Sequence, residues 1–354
     1  MPNALRRIGL AAAATMLVTV LPACGDSDTD ATGTDPAATG SDQKITVYSG
    51  RNEELMEPLF EQFTAATGIT VETRYAGTAA MAAQLLEEGD RSPADVFLAQ
   101  DAGALGAVAK AGLFAPLPAE VTDPVPAEFR SSAGEWVGVT GRVRVLAYNP
   151  ELVAEADLPS SVSDLTAAQW KGKVGVAPTN ASFQAFVTAM VVAQGEEKAR
   201  EFLTGLAANE PQIRDGNGAI MEDVEAGRIA AGLVNHYYLG EIAKERGVAP
   251  DEINLKLHYF PGGDLGSLVN VAGVGVLKPA ADDPDVREFV DYLLSVEGQT
   301  YFAEQTYEYP VIDGAPAPAY APALDALTVP PVDLNDLDDL ESTIALIQGS
   351  GLVP

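Results

Sequence analysis

Tyr237 and Tyr238 adjoin in the chain and follow an apolar run, Ile229-Ala230-Ala231-Gly232-Leu233-Val234. The run predicts a buried strand. Inside a strand, adjacent side chains point to opposite faces. Once the strand ends, two adjacent phenols can converge on one point. Phenol ionises near pH 10, so a phenolate at neutral pH needs a strong cation beside it. A hard, highly charged ion such as Fe³⁺ serves, because hard cations take oxygen donors. The competing reading makes both rings core or rim aromatics with hydrogen-bonded hydroxyls.

Other chemistry-bearing residues are few. Arg142 and Arg144 stand two apart in an extended stretch, so they share one face of a strand. An ion pair is the alternative for Arg144. His236 and His258 are the only histidines, and Cys24 is the only cysteine, so a zinc site and an intrachain disulfide are disfavoured. No nucleotide-binding Gly-rich loop and no Gly-x-Ser-x-Gly elbow occurs, so the chain reads as a receptor and not an enzyme.

The 354 residues are 47% hydrophobic and 20% charged, ordinary for a globular chain long enough for two domains. There are 51 acidic against 21 basic residues, a net charge of −30, which disfavours nucleic acid as a partner. Residues 1–23 have the parts of an export signal: Arg6 and Arg7, then the apolar run Ile8 to Val20. Leu21-Pro22-Ala23-Cys24 looks like a bacterial lipobox, which makes Cys24 a lipidation site. That places the mature protein in the cell envelope, anchored by lipid to the outer face of the cytoplasmic membrane. Residues 24–43, rich in Asp, Thr, Gly, Ala and Ser, read as a flexible tether.

The elements that must position these residues alternate. Lys44 to Tyr48 predicts a strand. Leu55, Met56, Leu59, Phe60 and Phe63 predict a helix that Gly68 stops. A second strand (Ile69 to Tyr75), a helix and a third strand (Asp95 to Ala99) follow, as in a mostly parallel α/β layer. Val137 to Asn149 reads as a long strand able to cross between lobes. A second α/β unit follows, with strands at Val174 to Ala177, at the tyrosine run, at Asn254 to Phe260 and at Gly273 to Leu277. The organisation expected is lobe 1 from 44–141 and 268–313, and lobe 2 from 142–267 and 314–354.

Several stretches together resemble the ferric-ion-binding proteins, solute-binding subunits of bacterial ABC iron importers. They are Ile45-Thr46-Val47-Tyr48-Ser49-Gly50, Asp90-Arg91-Ser92-Pro93-Ala94-Asp95-Val96-Phe97, Gly141-Arg142-Val143-Arg144-Val145, Trp170-Lys171-Gly172-Lys173-Val174-Gly175, Asn235-His236-Tyr237-Tyr238 and Glu308-Tyr309-Pro310. The resemblance runs, in order, over about residues 44 to 345. It implies an α/β, two-lobed periplasmic-binding-protein-like (Venus-flytrap) fold with mixed, mostly parallel sheets and a hinge between lobes.

The resemblance also implies a site. Tyr237 and Tyr238 match the family's consecutive iron-binding tyrosines. Asn52 stands where many relatives have a histidine, as a metal-side residue or as a helix N-cap. Glu53, Ala99 and Phe183 stand where branches of the family place other ligands, so the first lobe departs from the usual donor set. A synergistic anion, carbonate or phosphate, is implied at Thr179, Asn180, Ala181 and Ser182. A helix start there would offer free N–H groups. Asn217, Asn235, Gln100, Arg142 and Arg51 match further anion contacts, although Gly216 and Gly218 also suit Asn217 to a turn. His236 is expected to point away from the cleft. The implied mechanism is capture by hinge closure, with Arg51, Asn52 and Gln100 closing over the ion. A monomer then docks on an ABC permease driven by its ATPase. The alternatives are a binding protein for a small anion such as a phosphonate, or a secreted non-transport envelope protein.

Overall fold

The computed structural model describes residues 43–353. The export signal, Cys24 and all of the tether but Gln43 lie outside the described residues. Among the described residues nine strands join in hydrogen-bonded pairs: β1 (Lys44–Ser49), β2 (Thr70–Tyr75), β3 (Val96–Ala99), β4 (Val137–Tyr148), β5 (Val174–Val176), β6 (Gln212–Ile213), β7 (Ala231–Asn235), β8 (Lys256–His258) and β9 (Val269–Val276). Their order is β2-β1-β3-β9-β4-β7-β5-β6, with β8 beside β4.

The outer strands pair in parallel, and every antiparallel pair involves β4 or β9. β4 explains why. All twelve of its residues are buried. Val137 to Val143 pair with β9, and Arg144 to Tyr148 pair with β7. The strand therefore leaves one sheet and enters the other between Val143 and Arg144. This is the crossing that its length and apolar content predict.

Local sequence sets the flanking helices. Met56, Leu59, Phe60 and Phe63 form the buried stripe of the helix Glu53–Thr67. Gly68 ends it in the left-handed region, at φ 82°, and donates its N–H to the Thr64 carbonyl. Phe63 then meets Phe289 edge-on at 5.2 Å. Two strands differ from the sequence expectation. β9 begins at Val269, four residues before Gly273, because polar Asn270 lies within the ladder opposite Arg142. β8 is only three residues long, since the chain turns away at Phe260, whose N–H goes to Ser267 Oγ.

The crossing is locked by a buried charge network. Gly141 and Tyr309 exchange backbone hydrogen bonds of 2.8 and 2.9 Å, which lays Glu308 against β4. Arg51, just after β1, grips Glu308 with two bonds, 2.9 Å to Oε1 and 2.6 Å to Oε2. Thr306 Oγ1 donates to Oε2 at 2.9 Å, and Arg142 Nε lies 3.6 Å from Oε1. Burial alone would raise the Glu308 pKa, but Arg51 and Arg142 outweigh it and hold the carboxyl below its usual range. The folded-state pKa is thus depressed. The stabilisation is present at neutral pH and is lost as pH falls through that depressed value.

The buried network predicts a large effect from a small change. Glu308→Gln leaves Arg51 buried without its counter-charge, and the variant should lose about 3–5 kcal/mol of stability in urea unfolding at pH 7. A loss below about 1 kcal/mol would show that the pair does not hold the crossing.

Candidate functional site

β7 ends at Asn235, and the helix Tyr238–Arg246 begins three residues later. Tyr237 already has helical dihedrals, φ −65° and ψ −23°. Both phenols therefore leave the chain in its first helical turn, and strand alternation no longer separates them. Their rings stack with centroids 4.4 Å apart and planes 25° from parallel. Tyr237 is 7% exposed and Tyr238 is partly buried. Tyr320 Oη donates to the carbonyls of His236 and Tyr237 at 3.4 Å, which fixes the turn. Gly240 lets the helix approach Tyr307, since a Cβ there would lie 2.3 Å from that ring.

Burial pushes the Tyr237 phenol well above its ordinary value, the neighbouring Tyr238 adds to the rise, and Arg142 opposes it. Tyr238 is raised as well, by burial first, while its hydrogen bonding with Tyr237 pulls the other way. Without a cation both phenols are neutral. Glu241 lies one helical turn on. Burial first and Glu308 second push its carboxyl up to about 7, against Arg51 and Lys244.

Beside the tyrosines, β4 supplies the cations. Arg142 and Arg144 point to the same side, and Asn270 and Asn235 lie opposite them in the flanking strands. These four residues line one small cavity with Gln100, Asp101, Ala181, Ser182 and Leu268. It measures about 20 Å³, water-sized, so an oxyanion enters only as its walls move. Among the described residues Arg144 has no carboxylate partner, contrary to the ion-pair reading. Its guanidinium lies over Phe183 and Phe186, 5.4 and 5.2 Å from the ring centres. It bonds Ser182 Oγ at 3.3 Å and the Leu233 carbonyl at 3.4 Å. Burial lowers its pKa to about 9. The Nε atoms of Arg142 and Arg144, and Asn217 Oδ1, are buried with no hydrogen-bond partner. Buried polar atoms without protein partners can take hydrogen bonds from a polar ligand.

The helix Ala181–Gln194 starts at this cavity, with Asn180 as its N-cap. Asn180 Oδ1 accepts from Ser182 N and Ser182 Oγ, so its carbonyl is spent on the cap. Asn217 opens the helix Asn217–Glu225 and donates to Ser182 Oγ at 3.1 Å, so it is not a turn residue. Thr179, two residues before the helix, is exposed.

Two expected site residues lie elsewhere. Arg51, expected at the anion, is taken up by Glu308, because a buried carboxylate requires a cation and Arg51 is the one in bidentate reach. Asn52, expected at the metal, is exposed at the start of the helix Glu53–Thr67 and makes no side-chain capping bond. Ala99 is fully buried and offers no donor. His236 turns into the core, stacked on Tyr309 at 4.5 Å, and its Nδ1 accepts from Val143 N. Burial lowers its pKa to about 4, so it is neutral. Glu241 and Glu308 escaped the residue-by-residue reading. Only the four-residue spacing of Glu241 from Tyr237 could have pointed to it. A separate cleft of about 780 Å³ between residues 122–134 and 329–335 holds none of these groups.

The chain is similar to known proteins over most of its length. The family model of bacterial extracellular solute-binding proteins matches residues 91–339. The Fe(3+)-binding periplasmic protein of Serratia marcescens is 33% identical over 317 residues, which is 89% of this chain and 93% of that protein. The major ferric iron-binding protein of Neisseria meningitidis serogroup B is 33% identical over 319 residues, 89% and 95% of the two chains. The crystal structure of iron-bound HitA from Pseudomonas aeruginosa superposes with a TM-score of 0.81 at 37% identity, covering 87% of this chain and 99% of that one. The Trichodesmium protein (IdiA, FutA), solved with iron and citrate ligands, gives 0.76 at 28% identity, covering 88% and 100%. The two-lobed α/β fold is common to these structures, and the chain belongs to the bacterial extracellular solute-binding protein family, in the group that contains these ferric-iron-binding proteins.

Proposed function

We propose that this protein is the extracytoplasmic receptor of an ABC importer and captures Fe³⁺ with a synergistic anion. The observation that carries this reading is the stacked Tyr237/Tyr238 pair, beside two buried arginines whose Nε atoms make no hydrogen bond among the described residues. The phenols, once deprotonated, hold the ion. Arg142, Arg144, Asn217, Asn235 and the N–H groups opening the helix Ala181–Gln194 hold carbonate or phosphate, with Gln100 on the facing wall. The names of the relatives and the iron-bound neighbour support the same cargo.

The lobes are assigned as 44–141 with 268–313, and 142–267 with 314–354. The switch of β4 between sheets at Val143 and Arg144 supports a boundary there. Closure of the lobes traps the ion, and the closed monomer docks on the permease. Lipidation at Cys24, after removal of residues 1–23, and the tether of residues 24–43 keep the receptor near that permease. Arg144, buried without a carboxylate, also favours a second reading, a receptor for a small oxyanion such as a phosphonate, with the tyrosines only lining the site.

Three outcomes are expected of the purified protein. Ferric citrate should produce a visible tyrosinate-to-iron absorption band that Tyr237→Phe/Tyr238→Phe abolishes. Thermal stabilisation by phosphonates alone, with no band, would leave only the oxyanion reading. Binding drives protons off two phenols whose pKa values are raised, so capture should weaken as pH falls. Half-saturation at pH 5.5 should need more free Fe³⁺ than at pH 7.5, and equal affinity at both would exclude phenolate ligation. Arg144→Met should remove the effect of added carbonate or phosphate on that affinity while the band persists, and an undiminished anion effect would remove Arg144 from the anion site.

A further inference from the structure

Two phenolates leave a trivalent ion one negative charge short of neutral, and hard ions draw the missing charge from oxygen donors. Glu241 acts electrostatically on both tyrosines, and Glu308 acts on Glu241. Glu308 is closed to a metal, because both of its oxygens are held by Arg51 and one by Thr306. Glu241 is in the opposite position. It is half-buried, and among the described residues no hydrogen bond or ion pair engages its carboxylate. Lys244, the nearest lysine on its helix, is bonded instead to the carbonyl and side chain of Gln305.

Its place in the helix is suitable. Glu241 N donates to the Tyr237 carbonyl at 3.1 Å, so the two residues stand four apart, on one face and one turn. Its charge acts on both phenols. We propose that Glu241 is a third protein ligand of the bound ferric ion, giving a carboxylate oxygen from the same helix that presents Tyr237 and Tyr238. The three donors carry three negative charges, matching the ion, and all come from one segment. The facing lobe, where Asn52 is exposed and Ala99 has no donor, then closes over the site without having to ligate it.

The inference rests on the iron reading, and one titration separates the two. The natural chain, Glu241→Gln and Glu241→Asp are titrated with ferric citrate, following the visible band, with thermal melts of the metal-free forms as a fold control. Glu241→Gln should weaken iron binding about tenfold or more. Its band should move to longer wavelength, because a neutral amide leaves the ion more electron-demanding toward the phenolates. Glu241→Asp should recover part of both effects. Complete loss of the band in Glu241→Gln at an unchanged melting temperature also supports ligation. A Glu241→Gln variant with the natural band and natural affinity overturns the role of Glu241 and leaves the iron reading standing. Absence of the band in the natural chain overturns both.

Discussion

The constraint on which the rest depends is the burial of ionisable oxygen and nitrogen groups around one point with their charges unmatched. Tyr237 is almost fully buried, Tyr238 stacks on it, and Glu241 stands one turn away. Beside them Arg144 is buried with no ion-pair carboxylate among the described residues, and Arg142 shares Glu308 with Arg51. Taking such groups out of water costs several kcal/mol each unless partners replace the water. The raised phenols and the lowered Arg144 express that cost. A trivalent cation beside the oxygens and an oxyanion beside the arginines would relieve both halves together, and each would strengthen the hold on the other.

The fold places these halves side by side through one strand. β4 carries Arg142 in its last turns of pairing with β9 and Arg144 at its first pairing with β7. Cations on one face of this strand therefore stand where it passes from one sheet to the other. The tyrosines come from the end of β7, the neighbour of Arg144, so the same ladder sets their distance from the arginines. Ligands of open α/β sheets bind beyond strand ends in this way. The network of Glu308, Arg51 and Thr306 braces the crossing. Its two arginine bonds and the Thr306 bond leave no carboxylate capacity for a metal.

Much of this was legible in the sequence, for identifiable reasons. The tyrosine pair stood out because an apolar run ended just before it, and the helices because Met56, Leu59, Phe60 and Phe63 repeat at helical spacing. The reach of β4 followed from twelve residues with almost no turn former. What the sequence hid were long-range choices between equals. Arg51, Arg142 and Arg144 look alike as letters, and only the arrival of Glu308 from 257 residues away decides which of them is consumed. Glu241 was one of 51 acidic residues. Asn270 made a buried strand look like a loop, because its polar side chain faces the site from within the ladder.

The central claim is that both phenols ligate one ion, and the direct measurement is anomalous diffraction at the iron edge from crystals of the iron-loaded protein. A single strong peak within bonding distance of both the Tyr237 and the Tyr238 phenol oxygens is the result predicted. A peak that touches neither oxygen, or no ordered peak near the helix Tyr238–Arg246 while the protein remains iron-loaded, would contradict it.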